Sequence, residues 1–418
     1  MLRRTIAVML SVMLLLWFAE AQAPARQPGI RDGLRQARFA LHLENGVLSG
    51  PGAAVLESAI HDAQYVLIGE DHVTREIPQF AAAVCDIMAP QGLSTMAVET
   101  GPQAAEFVSS SFGKPDRLTQ MKELLRKYPD SIAFLNIRQE NDLVAHCAEM
   151  ARHNHFQLWG LDQEFLGSAG WLLDRILATH PGPSAVTAIT KLKSQEEHDA
   201  ARAMQTGDTS NLFLLSASDS ELHEVAAVLQ REGNATANLL FRELIDSHEI
   251  YVKNRQGLPE SNHQRARLLK QNFLYDFEAM QASHSEGKIL IKFGDWHLYK
   301  GINPIQQRDL GNYVAELADG QRSNSLHICV LGAKGTHREY DAYGRPTRLS
   351  DFVLDEDRDY RWLKPAIDAQ LLDSWTLYDL RKLRFQSLGN VDPDLERLIY
   401  GYDLLIIIPE VTPADLIE

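Results

Sequence analysis

Short apolar runs recur along the chain: Tyr65 to Ile68, Thr95 to Val98, Gln157 to Leu161, Ile289 to Phe293, His327 to Leu331 and Leu404 to Ile408. Each has the length of a strand and ends at a polar or turn-forming residue, which predicts buried strands. Between them the apolar spacing changes to that of a helix. Ile77, Phe80, Ala81, Val84, Ile87 and Met88 fall at helical spacing after the first run, and Gly101-Pro102 opens another helix after the second. Strand alternating with helix predicts an α/β fold: a mainly parallel sheet flanked by helices.

From about 180 to 285 no run of strand type occurs, and a composition rich in Ala, Leu, Glu and Gln with helical periodicity predicts a helical insertion or cap. No repeat, low-complexity tract or Pro-rich linker divides the remainder, so residues 36–418 are expected to form one domain carrying that insertion. Ahead of it, Arg3 and Arg4 precede the apolar stretch Ile6 to Phe18 and the small-residue pattern Ala19-Glu20-Ala21, which predicts a secretory signal peptide over 1–21. Residues 22–35 are expected to be a flexible leader. The apolar stretch is shorter than the roughly 20 residues that cross a bilayer, and no Cys stands near the cleavage region to take a lipid. The mature chain is therefore expected to be periplasmic or secreted, with no stable membrane anchor.

That setting changes how the cysteines and the charge are read. Cys85, Cys147 and Cys329 each sit among apolar neighbours and are expected to be buried structural residues, with one disulfide as the lesser alternative. The formal net charge of −15 becomes −16 on loss of Arg3, Arg4 and Glu20, and no Lys/Arg block offsets it locally. Nucleic acid is thus excluded as an expected partner, and a small molecule or a peptide is left as the expected substrate. An apolar fraction of 45% supplies a large core and argues against disorder.

In an open parallel sheet, ligands bind beyond the C-terminal ends of the strands. Four of the runs end alike: in Gly69-Glu70-Asp71-His72, in Glu99, in Gly160-Leu161-Asp162-Gln163-Glu164 and in Gly294-Asp295-Trp296-His297. Carboxylates and imidazoles are thereby predicted to meet in one cleft, and the same Gly-x-x-His spacing occurs twice. Each alone reads equally well as a helix cap or a satisfied core group; their convergence carries the functional reading. On the helical pattern from His263 to Met280, Arg265, Leu268, Leu269, Asn272 and Asp276 share a stripe, so polar groups there should be buried in a network or face a polar site. His223-Glu224 and His248-Glu249 lack the second His of a zinc-protease helix, and neither a Gly-x-Ser-x-Gly elbow nor a phosphate-cradling loop is present.

At these residues the chain resembles the superfamily that joins erythromycin-esterase-like proteins, the Tiki and TraB proteins and the ChaN-like haem-uptake proteins. The resemblance spans most of the mature chain. It rests on Gly69-Glu70-Asp71-His72 with Thr74-Arg75-Glu76, on Glu99, on Trp159-Gly160-Leu161-Asp162, on Arg265 to Asn272 and on Gly294-Asp295-Trp296-His297. The Glu70-x-His72 spacing is closer to Tiki and ChaN proteins than to erythromycin esterases, while the lipid-attachment Cys of many ChaN-like proteins is missing. The resemblance implies a hydrolase in which His72 is general base, Glu70 or Glu99 orients it, and His297 acts as acid or electrostatic stabiliser. Arg75, Asp162, Arg265 and Asn272 are then the expected substrate-binding residues, and the substrate is an ester, a lactone or a peptide. A metal-dependent version keeps His72, His297 and Glu99 as ligands of a divalent cation. In the remaining alternative, the two histidines bind haem or a small ligand without turnover.

Overall fold

The computed structural model describes residues 29–283, 287–339, 343, 347–386 and 389–417. The segment expected to be a signal peptide lies outside them. At the centre is a nine-stranded sheet in the order β2-β1-β10-β11-β7-β3-β6-β4-β5. Its members are β1 (Arg38–Glu44), β2 (Val47–Ser49), β3 (Tyr65–Glu70), β4 (Leu93–Val98), β5 (Gln157–Gly160), β6 (Lys288–Gly294), β7 (Ser325–Gly332), β10 (Trp375–Asp379) and β11 (Leu404–Ile408). The six strands from β11 to β5 are parallel, and β10, β1 and β2 continue the sheet antiparallel. A separate hairpin pairs β8 (Lys334–Glu339) with β9 (Arg348–Val353). The α/β fold with a mainly parallel, helix-flanked sheet is as the sequence predicts.

Both faces of the sheet are covered, as the unbroken apolar strands require. Along β3, Val66 and Ile68 point into one core with α1 (Glu76–Met88), α2 (Pro102–Ser109) and α3 (Arg138–Met150). Tyr65 and Leu67 point into the other, where Leu269, Phe273 and Phe277 of α8 (Glu260–Ala282) pack. Four helices, α4 (Ala169–Ala178), α5 (Pro183–Thr206), α6 (Asp219–Glu232) and α7 (Ala235–Arg255), enclose a third apolar cluster of their own. The helical region thus starts earlier than the expected 180, and its last helix belongs to the sheet layer, because the apolar stripe of α8 faces the strands.

Two expectations are corrected. Cys85 and Cys147 form a disulfide, with Cα atoms 5.5 Å apart, while Cys329 alone is a free buried thiol. The bridge is possible because α1 and α3, distant in sequence, pack side by side on one face. The expected leader also ends sooner than residue 35: Ile30–Ala37 is helical, and the complete burial of Leu34 ties it to the core. No helix among the described residues is long and apolar enough to cross a membrane.

Candidate active site

The strands β3, β6, β4 and β5 are neighbours, so the residues that follow them emerge side by side. Glu70 is the last residue of β3, Glu99 follows β4, Asp162 follows β5, and β6 runs into the short helix Asp295–Leu298 that carries His297. His72 and His297 meet at one carboxylate. Nε2 of His72 lies 3.2 Å from Glu99 Oε2, and Nε2 of His297 lies 3.6 Å from Glu99 Oε1. Each ring is held at its other nitrogen by a second carboxylate: His72 Nδ1 is 2.9 Å from Glu70 Oε1, and His297 Nδ1 is 2.7 Å from Asp309 Oδ2. The backbone N–H of Gly294 donates to Glu99 Oε2 at 2.6 Å, and a Cβ on Gly294 would sit 2.8 Å from His72 Nε2. Only glycine leaves room there for the ring and the carboxylate together.

The electrostatics follow from this layout. Burial works against a charge on His72, but the Glu99 and Glu70 carboxylates outweigh it and push its pKa up to about 10. On His297, burial and Arg265 oppose the proton, yet Asp309 and Glu99 prevail and its pKa is raised. Burial would favour protonated Glu99, but His72, His297 and Arg265 hold it well below the usual carboxylate range. Under Glu70 lies Lys292, whose Nζ contacts Glu70 Oε1 and reaches Glu140 Oε1 at 2.6 Å. Lys292 and His72 overcome burial and keep Glu70 ionised, whereas burial pushes Glu140 up to about 7.

His72 is also gripped by strained backbone. Val73 and Phe134 have φ of 65° and 59°, and the Phe134 ring stacks on the imidazole at 4.1 Å. A β-branched residue in the left-handed region is an outlier that surrounding structure must enforce, and such strain gathers at functional sites. A cavity of about 250 Å³ opens beside this assembly, lined by Glu70, Asp71, His72, Glu99, Asp295, His297 and Tyr360 among others. The Asp295 carboxylate accepts from Tyr360 Oη at 2.8 Å, and burial pushes its pKa up to about 7.

The expected substrate-binding residues are placed differently. Arg265 is clamped between Glu99 Oε1, at 2.6 Å, and Asp162, whose Oδ1 accepts from Nε at 3.0 Å, so its guanidinium is not free for a substrate anion. Asn272 donates to Leu161 O at 2.8 Å. These three therefore brace the strand ends against α8. Arg75 is not brought to the cavity: its guanidinium pairs with Asp415 at 2.9 and 3.0 Å and holds the C-terminal segment. Nor does the set His72, His297 and Glu99 fit a metal. No group of three or more His, Cys, Asp or Glu among the described residues is placed to hold one, and the Glu99 oxygens are already turned to Arg265 and Gly294. Both Nε2 atoms face that carboxylate, which is no slot for haem.

Sequence reasoning missed Lys292, Glu140, Asp309 and Tyr360. Lys292 had a signal, since it stands inside the apolar run Ile289 to Phe293, where a charge must be paired. Asp309 also had one: it precedes a helix, caps the Leu310 N–H at 2.8 Å, and uses its other oxygen on His297. For Glu140 and Tyr360 the sequence carries no such mark.

Solved structures share this architecture. An erythromycin esterase mutant in its open conformation superposes with a TM-score of 0.54 at 15% identity, over 91% of this chain and 99% of that one. The chain has an erythromycin-esterase-like fold. The same score is reached by a succinoglycan biosynthesis protein at 16% identity and by a Bacillus cereus protein at 14%, each covering 93% of this chain and 98% of its own. At these identities the likeness is one of fold. No protein-family model and no curated protein matches the sequence. The Tiki and ChaN branches of the sequence resemblance gain nothing specific from these neighbours.

Proposed function

We propose that this chain is an exported hydrolase that opens an ester or lactone bond with water. The observation that carries the reading is the pair of converging dyads: two imidazoles, each held at Nδ1 by its own buried carboxylate, aim Nε2 at one point beside a small cavity. A base oriented by a third group is the recurrent arrangement for activating a nucleophile. In this reading, His72 takes a proton from water through Nε2 while Glu70 fixes its tautomer. The water oxygen bonds to the acyl carbon, and His297, as imidazolium, steadies the developing oxyanion. The acyl–oxygen bond then breaks, and the departing alkoxide receives a proton from an imidazolium, leaving an acid and an alcohol. Lys292 keeps Glu70 anionic beneath the base. The Cys85–Cys147 disulfide supports an oxidising, extracytoplasmic setting.

The test is hydrolysis of a panel of p-nitrophenyl esters and macrocyclic lactones, read by release of nitrophenol or a mass gain of one water. His72→Ala and His72→Asn are expected to lose at least ~10²-fold in kcat/KM with unchanged circular dichroism, the usual scale for a general base. Full activity in either folded variant would remove His72 from the chemistry.

A further inference from the structure

At the far edge of the sheet, β5 pairs with β4 on one side, and no strand lies beyond it among the described residues. The Leu161 N–H donates to Val98 O. By the alternation of a strand, Trp159 turns its amide toward β4 as well, and Leu158 and Gly160 turn theirs outward. The two residues are largely buried, Leu158 being 9% exposed. Buried backbone donors and acceptors without partners are costly and rare in native proteins. They form the floor of a groove of about 430 Å³ between α2 and α8, walled by Phe112, Phe156 and Trp159.

One charge faces this groove without compensation. Asp276 of α8 lines it, and no donor or cation among the described residues reaches its carboxylate; burial alone pushes its pKa up to about 6. Opposite it, Glu106 adds a second acid at the rim, tied to Arg175 at 2.6 Å. β5 carries no Pro and no Lys, and only its length of four residues limits pairing along this edge. An unpaired edge, apolar walls and an uncompensated acid together describe a receptor for one kind of ligand.

We infer that this groove takes an extended peptide segment bearing a lysine or arginine, which adds beside β5 as a further strand and sets its cation against Asp276. Backbone bonds to Leu158 and Gly160 supply affinity that is blind to sequence, and the acid selects the basic side chain. The four residues of β5 span about 13 Å at roughly 3.3 Å each, so the bound segment is short. The groove shares no lining residue with the cavity at His72, so this inference stands whether or not the chain is a hydrolase.

The probe is a fluorescein-labelled acetyl-Thr-Val-Lys-Val-Thr amide, followed by anisotropy, with amide hydrogen exchange of the 157–160 segment read on the full chain. Saturable binding, slowed exchange at Leu158 and Gly160, and at least about tenfold weaker binding to Asp276→Asn are expected. Three results would each overturn the inference: no binding, equal binding of the peptide with Glu in place of Lys, or equal binding of one whose alternate amides are N-methylated. Protection of the same amides that grows with protein concentration and without peptide would also overturn it, by showing that two copies pair along this edge.

Discussion

Replacing Glu99 by glutamine removes the anion that most strongly holds a proton on His72. At the 3.2 Å separation of Nε2 and Oε2, Coulomb attraction at an effective dielectric of about 20 amounts to about 5 kcal/mol, or about 4 pH units, before desolvation is subtracted. The net rise on His72 is smaller, from 6.5 to about 10, because burial opposes it, and Glu70 supplies part of it. Assigning Glu99 a little over half of that rise places the His72 pKa of Glu99→Gln near ~8. The sign is fixed: loss of a neighbouring anion favours neutral imidazole, which is the basic form. In the wild type, about one ring in 10³ is neutral at pH 7, so log kcat/KM should climb with unit slope toward about pH 10. In Glu99→Gln the same limb should level about 2 units earlier. The assay is kcat/KM against pH for both proteins on the best ester of the panel, with the His72 ring followed by ¹⁵N NMR. A wild-type limb that levels near 6.5, or one that Glu99→Gln leaves in place, would refute the reasoning.

Three further outcomes are expected. The Cys85–Cys147 bridge closes a loop with a sequence separation of 62, so Cys85→Ser/Cys147→Ser should lose about 4 kcal/mol by urea titration, and an unchanged midpoint would show that the bridge does not form. Lys292→Met leaves Glu70 and Glu140 buried without their shared cation and should cost about 3–5 kcal/mol, much of it recovered in Lys292→Met/Glu140→Gln; equal stability of Lys292→Met and wild type would contradict the pairing. Dialysis against EDTA, with metal removal verified, should leave hydrolysis unchanged; activity lost and then restored by one added cation would reinstate the metal version.

The parallel half of the sheet was legible because its strands are buried on both faces and read as apolar runs; Leu404–Ile408 is bounded as its run suggested. β1, β2 and β10 were not legible. β1 alternates Phe39, Leu41 and Leu43 with Arg38, His42 and Glu44, a half-buried pattern rather than an apolar run, and β2 is only three residues long. In the site, strand ends gave away Glu70, Glu99, Asp162 and His297, since chain direction alone decides where they emerge. Partnership was hidden. Arg265 looked like a substrate anchor because a sequence names a cation but not the two carboxylates that tertiary packing folds around it. Arg75 was misplaced for the same reason, its partner Asp415 lying 340 residues away.

The disulfide divides the site in a way that bears on how it fails. Glu99, Phe134 and Glu140 lie within the covalent ring closed by Cys85 and Cys147; Glu70, His72, Lys292, His297 and Arg265 lie outside it. The contacts of His72, His297 and Arg265 with Glu99 and of Lys292 with Glu140 therefore cross a seam between a chemically closed loop and chain held only by packing, whereas the His72–Glu70 and His297–Asp309 pairs lie wholly outside the ring. Local opening along that seam separates the imidazoles from their shared carboxylate while the ring stays shut. Under mild denaturation or ageing, the molecule should pass through a form that keeps much of its structure but has lost its chemistry.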